Sequence, residues 1–108
     1  MIRVCLVEDQ TLVRQGIRTL LELAGGIEVV GEAADGEEAL TVIAACRPDV
    51  VLLDVRLPKR DGLEVLRVLA ERGDLPPTLI LTTFDDDGLA LDALRAGATG
   101  FLLKDVTL

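Results

Sequence analysis

Residues 50–54 are Val50-Val51-Leu52-Leu53-Asp54, and most of the fold follows from them. The four apolar side chains in a row predict a short strand that is buried on both faces, as at the centre of a parallel sheet. The strand ends on the carboxylate of Asp54, and the loop behind it contains Pro58 and Gly62. A carboxylate at the end of a buried strand contributes little to stability, so we interpret Asp54 as a residue with a chemical function.

Segments with the pattern of strands alternate with segments with the pattern of helices on either side of this run. Strands are predicted at residues 3–7, 27–31, 50–53, 78–82 and 100–103, and helices at 11–24, 37–46, 62–72 and 85–97. Strict alternation predicts one α/β domain, a parallel sheet with right-handed crossovers and helices on both faces. The residues predicted to face inward are Leu12, Val13, Ile17, Leu20 and Leu21 in the first helix, Ala39, Leu40 and Ile43 in the second, and Leu63, Leu66, Leu69 and Ala70 in the third.

Composition excludes several classes of function. The net charge of −8 argues against nucleic-acid binding by this chain itself, because phosphate contacts need a basic surface. The sequence has no His or Ser, so a Ser-His-Asp triad, a Cys-His pair and a His-ligated metal site are excluded. No apolar run reaches the roughly 18 residues of a membrane span, and no signal peptide precedes the first strand, so we expect a cytoplasmic protein without membrane contact. Cys5 and Cys46 form no CxxC motif and are predicted to be free, inert thiols.

Polar side chains stand where the predicted strands end. Glu8 and Asp9 follow the first strand, Asp54 the third, Thr82 ends the fourth and Lys104 follows the fifth. In doubly wound sheets these carboxyl ends line the ligand site. Three clustered carboxylates repel one another, and a hard cation such as Mg²⁺ relieves the repulsion. With the ammonium of Lys104 and the hydroxyl of Thr82, the set predicts phosphoryl transfer to Asp54 as nucleophile, with Glu8 and Asp9 as metal ligands.

Each of these residues also has a simpler interpretation. Asp54 could be a turn or helix-capping residue, and Glu8-Asp9 could cap the helix at Thr11. The aspartates at positions 85–87 are interpreted as caps of the fourth helix rather than as ligands. Lys104 could be an ordinary surface lysine. The coincidence of all these residues at strand ends favours the functional interpretation.

Four segments together resemble the receiver domain of two-component response regulators along the whole chain. They are the acidic pair Glu8-Asp9, LLDVRLPKRDG at 52–62, LILTTFDDD at 79–87 and ALRAGATGFLLKD at 93–105. The last two resemble the subgroup with a C-terminal helix-turn-helix domain of the LuxR/NarL/FixJ kind. The resemblance implies a flavodoxin-like, doubly wound sheet of five parallel strands in the order 2-1-3-4-5.

The resemblance also implies a role for each site residue. Asp54 would accept a phosphoryl group from a phosphohistidine of a sensor histidine kinase. Asp9, Asp54 and the backbone carbonyl of Arg56 would hold Mg²⁺, and Glu8 would act through a coordinated water. Thr82, rather than Thr83, and Lys104 would bind the phosphoryl oxygens.

The resemblance further implies a switch and an output. Thr82 and Phe101 would move together and remodel the face formed by residues 86–101, while Arg56 and Phe84 would flank the site and modulate loss of the phosphoryl group. Phe84 itself is interpreted as a packing residue. The domain would not be an enzyme beyond assisting its own phosphorylation and dephosphorylation. It would form a dimer on activation and reach DNA only through a C-terminal domain absent from these 108 residues.

Two departures and three alternatives stay open at this point. Asp105 follows Lys104 where many receivers have a proline, and the sequence stops at Leu108, where a fifth helix would begin, so we expect a receiver domain truncated before its last helix with one sheet face uncovered. A stand-alone receiver acting through protein contacts is the first alternative. A phosphohydrolase would need a second aspartate at the position of Arg56, and a flavin- or cobalamin-binding domain would need His or aromatic residues.

Overall fold

The fold is a five-stranded parallel sheet with helices on both faces, and the computed structural model describes residues 1–82 and 87–103. The elements are β1 (Ile2–Val7), α1 (Thr11–Ala24), β2 (Ile27–Ala33), α2 (Gly36–Cys46), β3 (Val50–Asp54), α3 (Gly62–Glu71), β4 (Thr78–Thr82), α4 (Asp87–Arg95) and β5 (Gly100–Leu103). The strand order is β2-β1-β3-β4-β5. The predicted fold class and strand order are therefore confirmed.

The centre of the sheet is β3, as its unbroken apolar sequence predicts. It pairs in parallel with β1 on one side and β4 on the other. Val51 and Leu53 belong to the larger hydrophobic cluster, which includes residues of α2, α3 and α4. Leu52 belongs to the smaller cluster on the other face, where Ile17 and Leu21 of α1 pack. Each face of β3 thus has its own core, which explains why every residue of the strand's middle is apolar.

The orientation of α1 differs from the prediction. Leu12 is 83% exposed and Leu20 is 42% exposed, although both were expected to face inward. Arg14 and Arg18 both form ion pairs with Glu32 on β2, and this attachment fixes the rotation of the helix. Val13, Ile17 and Leu21, which are spaced four apart and were also predicted to face inward, are half-buried, and Ile17 and Leu21 pack against the core on this face of the sheet. The prediction for the inward face of α3 was also partly wrong, because Ala70 is exposed and Val65, which was not predicted to face inward, is buried.

The two cysteines lie together beside a bulge between β1 and β2. The register pairs Val4 with Val29 but Cys5 with Gly31, so that Val30 is skipped. The Cys46 thiol donates to the carbonyl oxygen of Val30 over 3.3 Å. A Cβ on Gly31 would lie 2.6 Å from Val42 Cγ1, 3.0 Å from the Cys46 Sγ and 3.7 Å from the Cys5 Sγ, so Val42 and Cys46 occupy the space that a side chain would need. Both cysteines are free, as predicted.

Burial should make Cys5 much less reactive than Cys46. Burial away from water is the main cause that raises the pKa of Cys5 from 9.0 to about 12, with the neighbouring Cys46 adding to it. Each pKa unit lowers the thiolate fraction tenfold, so near neutral pH Cys5 should hold about a thousandfold less thiolate than an unperturbed thiol. Alkylation by iodoacetamide, followed by peptide mass spectrometry, should therefore label half-buried Cys46 first. Equal labelling rates in the folded protein would contradict this assignment.

The raised pKa of Cys5 also makes the stability of the folded protein depend on pH, in a direction that can be stated. The folded state favours the neutral thiol, so the contribution of Cys5 to stability is fully present below pH 9. It is lost progressively as the pH rises from about 9 towards 12, because the unfolded chain ionises first. Urea unfolding at increasing pH should show this loss, and a Cys5→Ala variant should lose less stability over the same interval.

Candidate functional site

The candidate site lies at the carboxyl ends of β1 and β3, the two strands at the middle of the sheet. Val7 pairs with Leu53, so Glu8 and Asp54 follow as neighbours at the same edge. Carboxylate oxygens of Glu8, Asp9 and Asp54 all lie within 4.8 Å of one another. Glu8 is fully buried and Asp54 is 4% exposed, whereas Asp9 faces water. The predicted acidic cluster is therefore present, with two buried members and one accessible member.

Glu8 is held by the loop between β1 and α1. Its backbone N–H donates to the Ala33 carbonyl over 3.0 Å, which continues the β1–β2 pairing by one residue. Its Oε2 accepts from the backbone N–H of Gln10 over 3.0 Å. The N-cap of α1 is Gln10, whose own side chain makes no capping hydrogen bond. Glu8 therefore bonds the backbone of the N-cap residue, and the interpretation of the acidic pair as a cap of α1 stays open and compatible with a metal site.

Arg14 is a supporting residue that the sequence did not reveal. Its Nη1 donates to the backbone carbonyl of Glu8 over 2.7 Å, and its Nε pairs with Glu32 Oε1 over 3.2 Å. The guanidinium thus connects the acidic loop to β2. In the helical pattern of residues 11–24, Arg14 is opposite the apolar residues, and its position one turn into the helix carries no signal about the loop before it.

Asp54 is the last residue of β3 rather than the first residue after it. Its Oδ1 accepts from the backbone N–H of Arg56 over 3.0 Å, so the carboxylate does bond its own loop, as the turn interpretation suggested. It is not a helix cap, because Asp61 caps α3 by accepting from the backbone N–H of Glu64. The Gly62 N–H donates to the Val55 carbonyl over 2.9 Å and closes the loop. Although one of its oxygens accepts this hydrogen bond, the Asp54 carboxylate also lies in the acidic cluster with Glu8 and Asp9.

Thr82 lies on the neighbouring strand, one residue beyond the partner of Asp54. Leu81 pairs with Asp54 in the β3–β4 register, and Thr82 ends β4 with only 2% exposure. Phe101 pairs with Ile80 on β5 and is 48% exposed. Thr82 is thus at the carboxyl edge of the sheet, as predicted, and Phe101 lies one strand further out.

Several predicted residues lie outside the described part of the chain. They are Thr83, Phe84, Asp85, Asp86, Lys104 and Asp105, and the side chain of Asp87 is also not described. Their predicted roles, including phosphoryl binding by Lys104 and capping of α4 by the aspartates, stay predictions.

Comparison with known proteins identifies the family. Residues 4–108 match the response regulator receiver domain. The chain belongs to this family. The receiver domain is 44% identical over 106 residues to the DNA-binding transcriptional activator DevR/DosR of Mycobacterium tuberculosis, a match that covers 98% of this chain and 49% of the relative. It is 43% identical over 107 residues to the probable transcriptional regulatory protein NarL of the same species, covering 98% of this chain and 49% of that protein.

A solved structure agrees with this assignment. The signal receiver domain of the response regulator NarL from Mycobacterium tuberculosis superposes with a TM-score of 0.91 at 42% identity, covering 98% of this chain and 86% of that one. The resemblance to receivers of the NarL type is therefore confirmed. The receiver domain spans about half the length of the curated relatives, 49% of each of the two named above. Among its described residues no helix is long and apolar enough to cross a membrane.

The acidic cluster suits a divalent cation by the chemistry of its donors. Glu8, Asp9 and Asp54 offer only carboxylate oxygens, the ligands that hard cations prefer. Burial of two of the three leaves their charges poorly screened by water, so positive charge at the site reduces their mutual repulsion. The exposure of Asp9 gives a cation a route from water. The family and the geometry of the acidic cluster are therefore consistent with a divalent metal site.

Proposed function

We propose that this receiver domain accepts a phosphoryl group on Asp54 from a phosphohistidine of a sensor histidine kinase, with Mg²⁺ as cofactor. The observation that carries the proposal is the convergence of Glu8, Asp9 and Asp54 at the carboxyl end of the central strands in a chain that matches the receiver family. Neighbouring carboxylates repel one another and so oppose stability, but together they can bind the metal ion that assists phosphoryl transfer. The P–N bond of the phosphohistidine would break as the O–P bond forms on Asp54.

Each residue has a defined part in this reaction. The Arg56 N–H holds one oxygen of Asp54, so the carboxylate is oriented before it attacks. Asp9, Asp54 and the Arg56 carbonyl would hold Mg²⁺, with Glu8 acting through a water; the ion, when bound, supplies positive charge to the phosphoryl oxygens. Thr82 and Lys104 would donate to the same oxygens. The chain would thus assist its own phosphorylation and dephosphorylation without being an enzyme for another substrate.

The output is proposed from the relatives. Those named above are transcriptional regulators about twice as long as this chain. We expect the phosphorylated receiver to act through Thr82 and Phe101 on the surface of α4 and β5, to dimerise, and to control a DNA-binding domain outside the 108 residues. A phosphohydrolase is disfavoured because the position of the expected general acid holds Arg56 rather than a second aspartate.

The proposed function is tested by incubating the protein with Mg²⁺ and a small phosphodonor such as acetyl phosphate. A phosphoryl group should be incorporated, and peptide mapping should place it on Asp54. Beryllium fluoride, a non-hydrolysable substitute for the phosphoryl group, should bind at the same residue. Incorporation at another carboxylate would contradict the proposal.

Replacing Asp9 by asparagine should weaken Mg²⁺ binding at least tenfold, because it removes an anionic ligand on the accessible side of the cluster. Isothermal titration calorimetry measures the affinity directly. Glu28→Gln is the matched control, since it also removes one negative charge but from an exposed position on β2. Equal affinities for the two variants would show that Asp9 is not a ligand.

A further inference from the structure

Gly36, the first residue of α2, lies against the loop that follows Asp54. A Cβ built on Gly36 would lie 1.9 Å from the backbone oxygen of Arg60, 2.6 Å from its carbonyl carbon and 2.5 Å from its Cβ. Contacts this short do not occur between real atoms, so any side chain at position 36 must displace a neighbour. The neighbour is backbone and cannot rotate away as a flexible side chain would. The contact therefore admits only glycine.

Backbone conformation does not explain this glycine. Gly25, Gly26 and Gly73 have positive φ angles, which favour glycine, but the φ of Gly36 is not in that range. At the start of a helix, alanine would be preferred over glycine by about 1 kcal/mol at most. What excludes alanine at position 36 is the close approach of the Arg60 backbone.

Further contacts fasten the same loop to α2. The backbone N–H of Gly36 donates to the Pro58 carbonyl over 3.3 Å. The Lys59 ammonium pairs with Asp35, whose side chain caps α2 by accepting from the Glu38 N–H. Lys59 itself has a φ of 66°, so the loop takes a constrained path at this point. The loop is thus attached to α2 through three successive residues, 58–60.

The loop between β3 and α3 begins directly after Asp54, so its first residues lie at the acidic cluster. Arg56 donates its N–H to Asp54 Oδ1, and Gly62 closes the loop through the Val55 carbonyl. Gly62 also packs closely, since its Cβ would lie 2.6 Å from the Asp54 carbonyl oxygen. Along the chain, only residues 55–59 separate Asp54 from Arg60, the residue that lies against Gly36. A shift of Arg60 would therefore reach Arg56 and Asp54.

We propose that Gly36 is a positioning residue for the acidic site. Because it lacks a side chain, the loop lies directly against α2, and this placement sets Asp54 and the Arg56 carbonyl relative to Glu8 and Asp9. The inference rests on the proposed function, in which Asp54 and Arg56 are metal ligands. Relieving a 1.9 Å contact requires a backbone shift of about 1 Å or more, a displacement that can cost about a hundredfold in a positioned reaction.

The test compares Gly36→Ala with Gly16→Ala. Both add one methyl group to a helical glycine, but no described heavy atom outside the helix backbone lies within 4 Å of a Cβ at Gly16. Gly36→Ala should weaken Mg²⁺ binding by about tenfold in calorimetry, as loss of a supporting contact does at other metal sites. Without Mg²⁺, the amide resonance of Arg56 should also move. Gly16→Ala should match the unmodified protein in both readouts. A folded Gly36→Ala protein with unchanged affinity and an unmoved Arg56 resonance would overturn the inference.

A measurement on the unmodified protein tests the same contact without a substitution. Addition of Mg²⁺ and beryllium fluoride should shift the amide resonance of Gly36 together with that of Arg56, because the Gly36 N–H is bonded to the loop. A Gly36 resonance that stays fixed while Arg56 moves would contradict the coupling. If the unmodified protein bound no Mg²⁺, the proposed function would fail, and the Arg56 shift in metal-free Gly36→Ala would still decide whether Gly36 positions the loop.

Discussion

Replacing Asp54 by asparagine is expected to abolish phosphorylation of the protein and leave its fold intact. An amide oxygen carries no formal negative charge and is a poor nucleophile towards phosphorus, whereas the side-chain shape is the same. The asparagine Oδ1 can still accept the Arg56 N–H that now bonds to Asp54, so the loop keeps its anchor. Removing one of three neighbouring negative charges also reduces their mutual repulsion. Intact-mass spectrometry after treatment with acetyl phosphate and Mg²⁺ measures the loss.

Asp61→Asn is the matched control for this variant. Asp61 is an aspartate at the end of the same loop, but its side chain caps α3 through the Glu64 N–H. Asparagine caps helices about as well as aspartate, so this variant should keep both its fold and its phosphorylation. Phosphorylation of Asp54→Asn to the level of Asp61→Asn would remove Asp54 from its proposed role.

Replacing Leu66 by alanine is expected to destabilise the domain by about 2–5 kcal/mol. Leu66 is in the middle of α3, has no exposed surface and packs in the larger hydrophobic cluster. Truncation loses buried apolar contact and leaves a cavity that the surrounding side chains fill only in part. Since small domains have only about 5–15 kcal/mol of stability, the effect is a large share of the total. Urea unfolding followed by far-ultraviolet circular dichroism suits this chain, which has no Trp or Tyr for fluorescence.

Leu12→Ala provides the comparison for Leu66→Ala. Leu12 is also a helical leucine, but it is 83% exposed, and its truncation should change stability by no more than about 0.5 kcal/mol. At low urea the Leu66 variant should bind Mg²⁺ as the unmodified protein does, because α3 supports the core and does not supply a carboxylate to the cluster. A cost below about 1 kcal/mol at Leu66 would mean that α3 is not packed as described.

The sequence allowed the sheet and the acidic cluster to be predicted because both depend on simple patterns. The apolar run of β3 reports burial on two faces, and parallel strands bring their carboxyl ends to one edge, which joins Glu8 to Asp54. The rotation of α1 was not predictable, because its apolar residues cover a wide arc and ion pairs with Glu32 select one side of it.

The supporting contacts of the site were also beyond prediction. Arg14 acts on a loop that precedes it, and Gly36 acts on a loop some twenty residues later, so neither leaves a periodic signal. The pair Asp35-Gly36 reads as an ordinary turn in the sequence. Only the 1.9 Å approach to Arg60 distinguishes a glycine required by packing from one required by a turn.

The edge position of β5 has a consequence for how local stability is distributed. Phe101 and Leu102 point to opposite faces of the sheet, and each is 48% exposed, whereas the corresponding residues of β3 are buried on both sides. Among the described residues, these two side chains bury less apolar surface than those of β3, so we expect β5 to open at a lower free energy than the central strand. Thr82 lies on β4 directly beside it, paired with Leu103. In the described part of the domain, we therefore expect tighter packing around Asp54, which would take up charge, than at the edge strand beside Thr82, where that change would be passed on.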